Sequence, residues 1–266
     1  MQTIQKLMSL TGRRVLLTGA TGNFGKSIAI TIAELGGDLV LTDISGSDYS
    51  SLTQLIKEVS NVNVECFDCN LENAISRNNL ITYLNEGNKS LNVIINNAAF
   101  VGTSDLTGWA TDFESQTIET WKRALEINLT AVFDLCQGLT KKLKKGGNAS
   151  IINISSIYGS NAPDYSLYTG TDMANPAAYA ASKGGLIQLT RWLSSTIAPE
   201  IRVNSISFGG VLRGQNEKFV NRYVKQTPMN RMAKEDDSKG IIAYLSTDLS
   251  SYVTGQDFII DGGWSV

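Results

Sequence analysis

The sequence contains no histidine. That absence excludes a Ser-His-Asp triad, a Cys-His pair and imidazole-ligated zinc. Any acid–base chemistry must then fall to Tyr, Lys, Asp, Glu or Cys. Cysteine is scarce at 3 residues, too few for a disulfide framework. With no apolar leader pattern in the opening MQTIQKLMSL, this points to a reducing cytoplasm. Cys66 and Cys69 form a lone C-x-x-C. With Cys136 as the one further soft ligand, no metal site is expected, and the pair reads as two small residues near a strand end. Charged residues are also few, at 18% with a formal net charge of -2. That balance argues against disorder and against a nucleic-acid binder, which needs a basic surface. No apolar run is long enough to span a bilayer, so no membrane partner is expected.

What is present is 266 residues with 42% hydrophobic content and 24 glycines. The length suffices for a substantial core. Short apolar runs alternate with longer amphipathic stretches. Strands are expected at 15–17, 39–41, 62–64, 93–95, 151–154, 202–206 and 258–260. Helices are expected near 24–35, 49–59, 74–84, 118–145, 178–196 and 238–247. Such alternation implies a parallel sheet covered on both faces, and right-handed crossovers make it doubly wound. The expectation is therefore an α/β, single-domain Rossmann fold over residues 1–266, with seven parallel strands. Stretches near 102–116, 159–175 and 211–230 read as substrate loops, because long connections in compact domains usually carry function. Tyr165 and Tyr168 in the second are candidate substrate contacts.

Thr18-Gly19-Ala20-Thr21-Gly22-Asn23-Phe24-Gly25 lies between the first strand and the first helix. A helix N-terminus offers free N–H groups and a positive dipole end, which suit a diphosphate. Glycines let the backbone come close to such a ligand. In this setting the turn reads as a dinucleotide site, the alternative being a plain structural turn. Asp43 follows the second strand, where a carboxylate can accept from an adenosine ribose and repel a 2′-phosphate. It favours NAD over NADP, the alternative being a turn aspartate. Tyr179 and Lys183 stand at i and i+4 on one helix face. A phenol ionises near a pKa of about 10, and a nearby cation lowers that value. Taken alone, the same spacing also describes an ordinary amphipathic pair.

Together these pieces resemble the short-chain dehydrogenase/reductase family. The resemblance runs from Gly12 to Trp264. It is carried by Thr18-Gly19 with Gly25, Asn96-Asn97-Ala98-Ala99, Ile127-Asn128-Leu129, Asn153-Ile154-Ser155-Ser156, Tyr179 to Lys183, Ile201 to Ser207, and Tyr252 to Gln256 ahead of Asp261-Gly262-Gly263. The resemblance implies that Tyr179 is the acid/base. It implies that Lys183 lowers the tyrosine pKa and binds the nicotinamide ribose. Ser156 would hold the reacting oxygen, and Asn128 a water for proton relay. Gly19, Thr21, Asn23, Phe24, Gly25, Asp43, Asn70, Leu71, Asn97, Ala98, Gly209 and Val211 would line the cofactor with Tyr179 and Lys183. The implied activity is hydride transfer between a nicotinamide cofactor and a secondary alcohol or ketone. A sugar or other polar hydroxylated compound is the expected substrate, and a homotetramer or homodimer the expected assembly. Two alternatives are a 3-oxoacyl-carrier reductase and a catalytically silent NAD-binding regulator.

Four positions depart from the family pattern. Asn23 replaces the middle glycine, whose place Asn fills by tolerating left-handed backbone. The literal spacing of Gly19, Gly22 and Gly25 is similar to the family's extended subgroup, but length and the other motifs resemble the compact one. Ala99 replaces a glycine and Phe208 a proline. Arg213 stands where a threonine often holds the carboxamide. It is a candidate for an anionic substrate group, the alternative being a surface arginine. The segment between Ser156 and Tyr179 is longer than the family's usual spacing.

Overall fold

The computed structural model describes residues 1–101 and 106–266. After a short helix α1 (Ile4–Met8), strands and helices alternate: β1 (Arg14–Thr18), α2 (Asn23–Glu34), β2 (Asp38–Asp43), α3 (Tyr49–Val59), β3 (Val64–Asp68), α4 (Ala74–Glu86) and β4 (Val93–Asn96). The second half runs α5 (Ile118–Leu125), α6 (Ala131–Gly146), β5 (Ala149–Ser156), α7 (Ala177–Ile197), β6 (Ile201–Phe208), α8 (Glu217–Gln226), α9 (Lys239–Ser246) and β7 (Asp257–Ile260). All seven strands pair in parallel, in the order β3-β2-β1-β4-β5-β6-β7. The chain reverses its direction of winding between β1 and β4. Doubly wound sheets open a crevice at that point, beyond the carboxyl ends of the strands.

Strand periodicity builds the two cores. Alternate residues point to opposite faces. Val15, Leu17, Leu39, Leu41, Val93 and Ile95 bury against Ile28 and Ile32 of α2 and Ile242 and Leu245 of α9. Leu16, Val40, Ile94, Ile151 and Val203 bury against Leu80 of α4, Leu135 and Leu139 of α6, and Leu186 of α7. Polar caps fix where helices begin. The Asp48 carboxylate accepts from Ser51 N at 3.0 Å ahead of α3, and Asn73 does the same for Ser76 N ahead of α4.

The structure corrects four expectations. The third strand starts at Val64, because Leu39 pairs with Val64 and donates to the Asn63 carbonyl. The expected long helix is interrupted by a π-helical turn at Glu126–Thr130. The stretch 211–230 is not a loop throughout, since it contains α8, whose Phe219 and Tyr223 are buried. In the stretch 159–175, Tyr165–Tyr168 form a 3-10 turn. Of the expected loop 102–116, residues 102–105 lie outside the described residues. Among the described residues no helix is long and apolar enough to cross a membrane, and no cluster of metal-ligating side chains occurs.

Candidate active site

A cavity of about 650 Å³ opens at the switch point. Its walls include Gly19, Thr21, Asn23, Phe24 and Gly25 from the first turn, Asp43 from β2, and Asn70 and Leu71 after β3. Asn97, Ala98, Tyr179, Lys183, Gly209 and Val211 complete the set expected around a cofactor. The fold thus gathers fourteen residues spread over most of the chain around one space.

The first turn is held from behind. Thr18 Oγ1 accepts from the backbone N–H of Asn97 and of Ala98, both at 3.0 Å. Asn97 Nδ2 donates to the carbonyls of Thr18 and Gly19, both at 2.9 Å. Gly19 has φ +63°, and a Cβ there would stand 2.8 Å from Ala98 Cα. A Cβ on Gly25 would overlap the Gly19 carbonyl oxygen and lie 2.6 Å from that of Ala20. One on Gly22 meets nothing nearer than 3.4 Å. Two of the three glycines are therefore required by packing. Asn23 is not in left-handed backbone; it is the first residue of α2, so no glycine is needed there. The backbone cradle with the α2 N-terminus behind it fits a diphosphate.

Asp43 closes the far end. Its Oδ2 accepts from Thr21 N at 2.9 Å and Thr21 Oγ1 at 2.6 Å, and its Oδ1 from Ile44 N at 2.9 Å. Val211 is fixed by a bridge to Ala233, and Gly209 N donates to the Ile260 carbonyl at 3.0 Å.

At the other end stand Ser156, Tyr179 and Lys183. Burial raises the Tyr179 pKa, while the Ser156 hydroxyl and the Arg213 charge pull it down. Lys183 is 2% exposed. Its Nζ donates to the Ile154 carbonyl at 2.8 Å and lies 5.8 Å from the Tyr179 ring centre. Desolvation brings its pKa down to about 8. Asn128 sits in the π-helical turn and is fully buried. Its Oδ1 accepts from Phe100 N at 2.6 Å, and its Nδ2 donates to the Phe100 carbonyl and to Ser182 Oγ. The side chain therefore pins the segment after β4 and does not line the cavity. Single π-turns often mark functional sites, because they re-aim a residue that a regular helix would point elsewhere.

A second pocket of about 310 Å³ adjoins the first. Ser156, Tyr179, Gly209, Val101 and Gln215 line both. Trp109, Tyr158, Phe219, Tyr223 and Met232 supply much of the remaining wall. Tyr165 and Tyr168 line neither. Tyr165 is exposed and donates to the Asn175 carbonyl at 3.0 Å, while Tyr168 stands behind the wall with its hydroxyl 2.9 Å from that of Tyr158. Arg213 lines the larger cavity only.

The model of the family described as enoyl-(acyl carrier protein) reductase matches residues 19–265. The chain belongs to the short-chain dehydrogenase/reductase family. It is 31% identical over 264 residues to a 3-oxoacyl-acyl-carrier-protein reductase of Rickettsia felis, covering 97% of this chain and 98% of that one. It is 28% identical to an NADP-dependent mannitol dehydrogenase of Alternaria alternata, covering 99% of this chain and 96% of that one. A short-chain dehydrogenase from Leptospira borgpetersenii with bound NAD+ superposes with a TM-score of 0.85 at 28% identity, over 100% of this chain and 97% of that one. Membership makes this chain an NAD(P)-dependent oxidoreductase of CH–OH and keto groups.

Sequence reasoning missed several wall residues of this dehydrogenase/reductase site. Tyr158 was within reach of a sequence signal, since it stands two residues after Ser156. Trp109, Tyr223 and Met232 carry no pattern that separates them from ordinary core residues.

Proposed function

We propose that the chain is an NAD-preferring dehydrogenase/reductase that interconverts a neutral secondary alcohol and its ketone. The single observation that carries this reading is that Ser156 and Tyr179 line both cavities. A substrate carbonyl in the smaller pocket meets both hydroxyls and faces the larger cavity at the same point. When bound, the nicotinamide supplies or accepts the hydride.

In the reducing direction the Tyr179 hydroxyl gives its proton to the carbonyl oxygen, which the Ser156 hydroxyl holds. Burial keeps Tyr179 protonated, as a general acid requires. In the oxidising direction the phenolate takes that proton, and the Arg213 charge and the Ser156 hydroxyl favour this form. Lys183 is placed to hold a ribose by its ammonium group. Asn128 acts through the backbone it pins at Phe100. Among the described residues the smaller pocket has no charged wall residue, and its aromatic faces suit the C–H faces of a sugar or other hydroxylated compound. Asn175 and Gln215 add polar groups to that wall.

Asp43 supports NAD. Among the described wall residues the cations are Arg213, paired with Glu235, and Lys183, bonded to the Ile154 carbonyl, and neither is paired with Asp43. We place the enzyme in the cytoplasm, where the free thiols Cys66, Cys69 and Cys136 stay reduced. We read residues 1–266 as one domain and the assembly as a homodimer or homotetramer, with exposed Trp121, Phe133 and Trp192 on α5–α7 as the face to cover.

The identity with the Rickettsia felis protein favours a second reading, reduction of carrier-bound 3-oxoacyl groups. The test is turnover of NADH and NADPH with a panel of ketones, ketoses and a 3-oxoacyl thioester. The proposal expects NADH-dependent reduction of a neutral ketone. Turnover confined to the thioester with NADPH overturns it. NAD binding without any turnover favours a silent regulator.

A further inference from the structure

Arg213 is the residue at this site whose surroundings the proposed chemistry leaves unexplained. Its guanidinium lies 5.0 Å above the centre of the Phe24 ring. Phe24 is the second residue of α2, so the cation stands beside the positive end of that helix. Two positive elements converge on one part of the cavity wall, an arrangement that an anion between them stabilises.

The guanidinium is held in place by only part of its donor set. Nε donates to Glu235 Oε1 at 3.0 Å. Among the described residues Nη1 and Nη2 have no protein partner. Glu235 is itself tied to α2, since its carbonyl accepts from Ser27 Oγ at 3.2 Å. The Arg213 backbone is fixed by a 2.7 Å bond from its N–H to Gln215 Oε1. The fork is thus oriented from behind, and its outer two nitrogens remain available. Arg213 lines the larger cavity and not the smaller one, and its charge is felt at Tyr179. It stands on the wall of the larger cavity beside the first turn of α2.

We propose that Arg213 binds the cofactor's diphosphate through the free edge of its guanidinium, beside the glycine turn. The geometry favours this over a substrate contact, because the guanidinium rests on Phe24 in the first turn of α2 and is absent from the wall of the substrate pocket. Glu235 is a positioning residue that keeps the fork turned toward the cavity. A planar guanidinium meets two phosphate oxygens at once, which a threonine hydroxyl cannot do. The inference rests on the reading that the larger cavity takes the dinucleotide.

The test is direct binding, with no turnover needed. NADH is titrated by its fluorescence, and ADP-ribose and adenosine by calorimetry, on the full chain and on Arg213→Gln and Arg213→Lys. Arg213→Gln should weaken NADH and ADP-ribose by about tenfold or more, the scale of a lost charged hydrogen bond, and leave adenosine unchanged. Arg213→Lys should fall between, because it keeps the charge and loses the fork. Raising salt should weaken NADH binding more in the wild type than in Arg213→Gln. NADH and ADP-ribose affinities within twofold of wild type in Arg213→Gln would overturn the proposal. A loss confined to NADH, with ADP-ribose unaffected, would also overturn it by placing Arg213 on the nicotinamide. Failure of the wild type to bind NADH at all would instead sink the dinucleotide reading on which the proposal stands.

Discussion

Lys183 Nζ is hydrogen-bonded to the Ile154 carbonyl at 2.8 Å and stands 5.8 Å from the centre of the Tyr179 ring. The ammonium is buried, and among the described residues no carboxylate pairs with it. Its folded-state pKa falls to about 8 through desolvation, below the ordinary value of 10.5. Below about pH 8 it is protonated in both folded and unfolded chains, and the folded state bears the desolvation cost. As pH rises from about 8 to 10.5 the folded chain releases this proton first, and the cost disappears. The stability of wild type relative to Lys183→Met should therefore increase over that window. Thermal midpoints of both proteins at pH 7 and pH 10 measure it. A difference that stays constant or moves the other way contradicts the buried, unpaired lysine.

The glycine turn gives a paired prediction. Gly25→Ala forces a Cβ into the Gly19 and Ala20 carbonyls, both fixed backbone. It should lower the thermal midpoint and abolish measurable NADH binding. Gly22→Ala meets only ordinary contact distances and should bind NADH within about threefold of wild type. Equal effects of the two would show that the turn is not packed as described.

Asp43→Asn keeps the shape that accepts from Thr21 and removes the charge. The ratio of NADPH to NADH affinity should rise by about tenfold, the scale of removing one close like-charge contact. Titration with both nucleotides checks this. An unchanged ratio would mean that Asp43 does not read the 2′ position.

Asn128→Ala leaves the Phe100 N–H and carbonyl, both half-buried, without their partner. Unfolding should become easier by about 2 kcal/mol, measured by denaturant titration. Phe100 follows Ala98 and Ala99, which line the large cavity, so NADH affinity should fall as well. Intact stability and affinity would contradict the pinning role.

The order of elements was legible because the strands of a parallel sheet are continuous apolar runs, as in Val93-Ile94-Ile95. The helix at Tyr49–Val59 was readable to its ends, since Asp48 caps it. The third strand was displaced because it is an edge strand, with Glu65 and Phe67 half-buried and Cys66 and Asp68 exposed. The π-helical turn around Asn128 was not separable from its neighbours, because the backbone is right-handed helical on both sides of it. Helix α8 is polar, with Phe219 and Tyr223 its buried anchors, so it read as a loop. The cofactor wall was legible through motifs, most of them at strand ends and the Tyr179–Lys183 pair on α7. The substrate wall was not. Only its place two residues after Ser156 separates Tyr158, which lines the pocket, from Tyr168, whose hydroxyl backs it at 2.9 Å.

The central claim is that Tyr179 moves the proton at a carbonyl held between the two cavities. Its most direct test is the rate of NADH-dependent ketone reduction in Tyr179→Phe beside wild type, with NADH affinity measured on the same samples. The predicted result is a fall in kcat of about a thousandfold, within the range for loss of a general acid, with NADH affinity nearly unchanged. Turnover in Tyr179→Phe within tenfold of wild type would contradict the account.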